Sequence, residues 1–116
     1  MPSKILLVED EQMLRESLAQ LLTEEGLEVV QAADGKAGHE AALAEGFDLV
    51  ITDMRMPEMD GLTLLKRLRQ VIPQTPVIVI TAFGTVESAI AAMRAGAADY
   101  VLKPVQFEDV LSRVRR

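Results

Sequence analysis

Cysteine is absent from this 116-residue sequence, which excludes a disulfide framework, a thiolate nucleophile and a cysteine-based metal site. Long apolar runs are missing too. The N-terminus offers only residues 5–8 before Glu9, Asp10 and Glu11, too short for a signal peptide or a membrane span. The chain is therefore read as soluble and unexported, with no membrane partner and a cytoplasmic location that suits the missing cysteine. Grouped basic charge is also lacking: the net charge is −6, and no cluster of lysine or arginine forms before the last turn. Direct contact with nucleic acid is not expected, because phosphate contacts need clustered cations. No Gly-rich loop follows the first apolar run, and Glu9 to Gln12 would repel a nucleotide phosphate there. The one histidine, His39, has no second ligand or nucleophile near it in sequence and is read as a surface residue.

The hydrophobic fraction, 49%, is enough for a core without staples, and a chain of this length is one domain that buries roughly two thirds of its unfolded surface. Lys4–Val8 reads as a buried strand opening into a helix that carries Leu14, Leu18, Leu21 and Leu22 and stops at Gly26. Leu27, Val29 and Val30 suggest a second strand, broken by Asp34 and Gly35. Residues 36–45 are helical and close at Gly46, and 47–52 form a third strand. Pro57, Asp60 and Gly61 make a turn into a helix with Leu62, Leu65 and Leu68. Pro73 and Pro76 bracket the loop into a strand over 77–80. Residues 85–95 form a fourth helix with Val86, Ala89, Ile90 and Met93 on its buried face and Gly96 at its end. A fifth strand spans Asp99–Leu102, Lys103 and Pro104 turn, and 107–116 form the last helix.

Five strands alternating with five helices through short loops mean an α/β fold, a parallel sheet with helices on both faces. Ligands of such sheets bind beyond the carboxyl ends of the strands. Glu9 and Asp10 follow the first strand, Asp53 ends the third, Thr81 follows the fourth and Lys103 the fifth. Each has a plain structural reading when taken singly: acids suit a helix N-terminus, a threonine caps a helix, and a strand-end lysine reaches water. In the flavodoxin-like strand order 2-1-3-4-5 the first and third strands are neighbours, so three carboxylates converge. That is unfavourable unless a cation lies between them. Mg²⁺, with oxygen ligands, answers the need. A carboxylate nucleophile, a metal, a hydroxyl and an ammonium are the parts that move a phosphoryl group.

Val8-Glu9-Asp10, Thr52-Asp53, Met56-Pro57, Met59-Asp60-Gly61, Thr81-Ala82 and Lys103-Pro104 together resemble the receiver domains of bacterial two-component response regulators, over essentially the whole chain. The strand order is that family's own, so it belongs to the resemblance. The resemblance implies that Asp53 accepts a phosphoryl group from a histidine of a partner sensor kinase. It further implies Mg²⁺ held by Asp10, Asp53 and the Arg55 carbonyl with Glu9 assisting, phosphoryl contacts from Thr81 and Lys103, a cis Lys103-Pro104 bond, and Tyr100 as an aromatic that follows Thr81. Glu9 stands where an aspartate is often found, Glu58 where many relatives carry glycine and Val105 where many carry phenylalanine. The stretch from Thr81 to Ala97 resembles receivers of nitrogen-regulatory-class AAA+ transcription activators. The chain, residues 1–116, is thus expected to be the N-terminal part of a longer protein with a covalently linked AAA+ and DNA-binding output domain, and to form a homodimer on phosphorylation.

The expected signal is a two-state shift. A phosphoryl group draws the segment after Thr81 toward Asp53, Tyr100 turns into the vacated space, and the face of the fourth helix, fifth strand and fifth helix is reshaped. Ala91, Ala92 and Ala95 lie beyond the expected buried stripe, either for close approach of a partner or as strong helix formers. Arg113, Arg115 and Arg116 either pair acids across a dimer or form a solvated helix end. Met54, Met56 and Met59 read as gap-fillers under Asp53. The competing enzyme reading is an aspartate-nucleophile Mg²⁺ phosphatase. Such enzymes carry a second aspartate two residues on, where this chain has Arg55. A receiver used purely as a non-phosphorylated interaction module has no support in the residues.

Overall fold

Branched apolar runs form the strands and amphipathic stretches the helices of the computed structural model, which describes residues 4–56, 59–82 and 85–115. In chain order the elements are β1 (Lys4–Val8), α1 (Gln12–Glu24), β2 (Glu28–Ala32), α2 (Gly35–Ala44), β3 (Leu49–Asp53), α3 (Gly61–Val71), β4 (Val77–Thr81), α4 (Val86–Arg94), β5 (Asp99–Leu102) and α5 (Phe107–Val114). The strands make one parallel sheet in the order β2-β1-β3-β4-β5. This is the flavodoxin-like α/β architecture expected from the sequence. Pro57, Glu58, Phe83, Gly84 and Arg116 lie outside the described residues.

Strand alternation divides the core into two layers. Leu6, Val8, Val50, Val77 and Val79 pack with Leu64, Leu65, Leu68 and Ala92 on the side of α2, α3 and α4. Ile5, Leu7, Ile51, Ile78 and Ile80 pack with Leu18, Leu22, Val110 and Val114 on the side of α1 and α5. The turns follow local chemistry. Asp34, Asp60 and Thr85 cap α2, α3 and α4 through their side chains, and Gly26 ends the α1 turn at φ +89°, a conformation that L side chains rarely adopt. Among the described residues no helix is long and apolar enough to cross a membrane.

Two sequence expectations are overturned. The buried face of α4 is not Val86, Ala89, Ile90 and Met93: Val86 is 76%, Ile90 45% and Met93 49% exposed, whereas Ala92 is 0%. The helix lies close to the sheet on its small residue and turns its large apolar side chains outward. The C-terminal arginines are not merely a solvated end. Arg113 lies 2.5 Å from Asp99 and 3.0 Å from Asp109, and Arg115 pairs with Glu25, all within the chain. His39 lies at the surface as expected, partly exposed beside Thr63 and Lys66 in a shallow groove between α2 and α3.

Candidate functional site

The carboxyl ends of β1 and β3 are adjacent, with Val8 opposite Thr52, so the residues that follow meet at the sheet's rim. Alternation puts Glu9 in line with Leu7, Asp53 with Ile51, and Lys103 with Val101, all rows of the α1–α5 layer. The three side chains meet there. The Lys103 ammonium lies 3.0 Å from Glu9 Oε1 and 3.0 Å from Asp53 Oδ2, with the lysine side chain 17% exposed.

Asp53 is buried and both its oxygens are engaged. Its Oδ1 accepts the Met54 N–H at 2.7 Å and its Oδ2 the Lys103 ammonium. The turn after it is tight, since the Gly61 N–H donates to the Met54 carbonyl at 2.8 Å. A Cβ on Gly61 would stand 2.0 Å from the Asp53 carbonyl oxygen, so only glycine fits. Met54 is buried, and Met56 and Met59 pack with it against the core layer of α2, α3 and α4, on the other side of the sheet from the row of Asp53.

Glu9 is fully buried. Its Oε2 accepts the Glu11 N–H at 2.9 Å, its own N–H donates to the Ala32 carbonyl at 3.0 Å, and its carbonyl accepts from Arg15 at 2.9 Å. Burial pushes its carboxyl from 4.5 up to about 7, the Glu11 N–H and the Lys103 ammonium opposing and Asp53 reinforcing the rise. Burial works against the Lys103 charge as well, yet Glu9 and Asp53 together hold that ammonium above its ordinary value.

Carboxylate oxygens of Glu9, Asp10 and Asp53 lie within 4.8 Å of one another. Glu9 Oε1 is buried without an aligned hydrogen bond, despite its short ion pair with Lys103. Asp10 is exposed at the mouth. An all-oxygen donor set, an orphaned buried oxygen and an open side suit a hard divalent cation that keeps part of its water shell. These residues fit Mg²⁺.

The remaining predicted residues lie on β4, on β5 and in the turns that follow β3 and β5. Thr81 is fully buried at the end of β4, one step past Ile80, the register partner of Asp53. Its carbonyl accepts the Lys103 N–H at 2.8 Å, and alternation places it in the row of Val77 and Val79, toward α3 and α4. The Lys103-Pro104 bond is cis. Arg55 is exposed just past Asp53 and lines a groove of about 770 Å³ between α3 and α4 with Met54, Asp60, Leu62 and Thr85. Tyr100 is half-buried on β5, its hydroxyl 2.8 Å from Ser88 Oγ. Arg15 and Ser88 were not foreseen: a helix-surface arginine and a serine among alanines carry no sequence signal of what they touch.

Comparison with known proteins agrees with this geometry. A family profile described as response regulator receiver domain matches residues 5–115. The response regulator protein FleR of Pseudomonas aeruginosa is 44% identical over 116 residues, covering 100% of this chain and 24% of that protein. The transcriptional regulatory protein CusR of Escherichia coli is 38% identical over 112 residues, 97% of this chain and 49% of that protein. A CheY-like response regulator receiver domain structure from Methanospirillum hungatei is 31% identical and superposes with a TM-score of 0.95, covering 99% of this chain and 92% of that one. The chain thus spans half or less of the length of these two sequence relatives.

Proposed function

The chain belongs to the response regulator receiver domain family of two-component signalling, and on that premise we propose that it is a switch thrown by phosphorylation of Asp53. The observation that carries the reading is the Lys103 ammonium held 3.0 Å from both Glu9 and Asp53. A cation fixed between the acceptor and a second acid is placed to meet charge on an incoming phosphoryl oxygen.

In the proposed reaction an Asp53 carboxylate oxygen attacks phosphorus in line. The bond from phosphorus to a histidine nitrogen of the sensor kinase breaks, and its electron pair leaves with the imidazole. Glu9, Asp10, Asp53 and the Arg55 carbonyl would hold Mg²⁺, which when bound offsets negative charge on the phosphoryl oxygens. Lys103 leaves its ion pair with Asp53 for the new phosphoryl group, and Thr81 donates its hydroxyl to another phosphoryl oxygen. Since Thr81 belongs to the row facing α3 and α4, that hydrogen bond links the pocket to α4 and, through it, to Tyr100. The domain catalyses only its own phosphorylation and dephosphorylation. Arg55 occupies the place where a phosphatase of this chemistry needs its second acid, so turnover of an outside substrate is not expected.

The exposed Val86, Ile90 and Met93 of α4, continued by Leu102 and Phe107, support a partner face on α4, β5 and α5 that serves a homodimer after phosphorylation. The likeness to FleR and CusR supports a linked output domain that regulates transcription, which we take to be of the AAA+ and DNA-binding kind, and a cytoplasmic place of work. Intact mass after incubation with a small acyl or amido phosphate and Mg²⁺ tests the core of this reading. One added phosphoryl group is expected, absent in Asp53→Asn and absent without the metal. An unmodified wild-type chain, or a modified Asp53→Asn, rejects it.

A further inference from the structure

Tyr100 is the one tyrosine of the chain, and its hydroxyl lies 2.8 Å from Oγ of Ser88, in the first turn of α4. Ser88 Oγ also donates to the Thr85 carbonyl at 3.1 Å. A serine hydroxyl has a single proton. With that proton directed at Thr85, the Tyr100 O–H is the donor to Ser88, and the three groups form a directed chain from Tyr100 through Ser88 to the Thr85 carbonyl. Thr85 is in turn the cap of α4, its hydroxyl accepting the Ser88 N–H at 3.0 Å. Tyr100, on the edge strand, is thereby fastened to the cap that closes the segment running on from Thr81. Tyr100 packs against the core from its own strand, whereas α4 adds little apolar packing of its own, because Ala92 is its buried residue and its large side chains face outward.

We infer that Ser88 is a positioning residue of the switch: its hydroxyl latches Tyr100 to the first turn of α4 and holds both in the unphosphorylated arrangement. The inference rests on the switch proposed above, while the Tyr100–Ser88 hydrogen bond is a contact of the structure itself. Tyr100 can turn only when its hydroxyl lets go of Ser88, so the hydrogen bond opposes activation. Its loss shifts the equilibrium toward the turned tyrosine by about two- to tenfold, the worth of one neutral hydrogen bond.

Because a single tyrosine is present, 3-fluorotyrosine incorporated biosynthetically gives one ¹⁹F resonance that reports on residue 100. In the unphosphorylated chain, Ser88→Ala should move that resonance toward the position it takes in the wild type after phosphorylation, and Ser88→Thr, which keeps a hydroxyl, should return it. A double-mutant cycle of Ser88→Ala with Tyr100→Phe, read by urea unfolding, should show coupling of about two- to tenfold in the unfolding constant. Additive effects, an unmoved resonance in Ser88→Ala, or a displacement that threonine fails to correct would each overturn the latch. Intact mass with an acyl phosphate and Mg²⁺ runs beside these measurements. Wild type and both serine variants should gain one phosphoryl group. If none does, the switch reading fails, while the cycle on unphosphorylated protein still decides whether Ser88 and Tyr100 are coupled.

Discussion

Replacing Glu9 by glutamine tests the electrostatics of the pocket most directly. The carboxyl is fully buried, and burial raises it from 4.5 to about 7 in the fold. A group that binds its proton more tightly folded than unfolded contributes stability that is complete below the unfolded value and gone above the folded one. In metal-free protein this carboxyl therefore removes on the order of 3 kcal/mol of stability as pH rises from 4.5 through 7. Glutamine has the same shape and does not titrate. Urea unfolding followed by circular dichroism, in chelator and at several pH values between about 5 and 8, should give a wild-type curve that falls relative to Glu9→Gln by that amount. Mg²⁺ favours the charged carboxylate, so adding it should restore the wild type at the alkaline end and leave the variant little changed. An identical pH slope in both proteins without metal would refute the reasoning, because the buried carboxyl would then not be the group that titrates.

Other perturbations follow from the same contacts. Lys103→Met removes a cation 3.0 Å from two acids: Mg²⁺ binding measured by calorimetry should tighten, while phosphorylation by an acyl phosphate should slow by about 100-fold. Weaker metal binding would contradict the picture. Gly61→Ala drives a methyl against the Asp53 carbonyl, 2.0 Å away, and should cost about 2 kcal/mol or more in urea unfolding. Ile90→Asp, on the outward face of α4, should abolish phosphorylation-dependent dimers in sedimentation velocity and leave the phosphoryl uptake of Asp53 intact. A dimer that persists would put the partner face elsewhere.

The fold was legible because its signals are local. Unbroken apolar runs such as 77–80 suit strands covered by helices on both faces, as in a parallel sheet, and Asp34, Asp60 and Thr85 announce helix starts where they cap them. The acidic set was legible for a related reason: once strands are placed, the residues at their carboxyl ends share one rim. Where the reading went astray was α4. Hydrophobic periodicity reports that a helix has an apolar stripe, and it is silent on which side the sheet lies. Ala92, too small to mark a face by hydropathy, allowed close approach and turned Val86, Ile90 and Met93 out.

By itself, the order of residues determined the elements, their alternation and the chemical types at the strand ends, since all of these depend on neighbours in the chain. Tertiary structure alone decided which groups touch. It set Lys103 between Glu9 and Asp53, 94 and 50 positions away, raised the Glu9 carboxyl by burying it, and tied Tyr100 to Ser88. Distances of this kind depend on how closely helices settle on the sheet, a property of packed volumes that no one-dimensional pattern records.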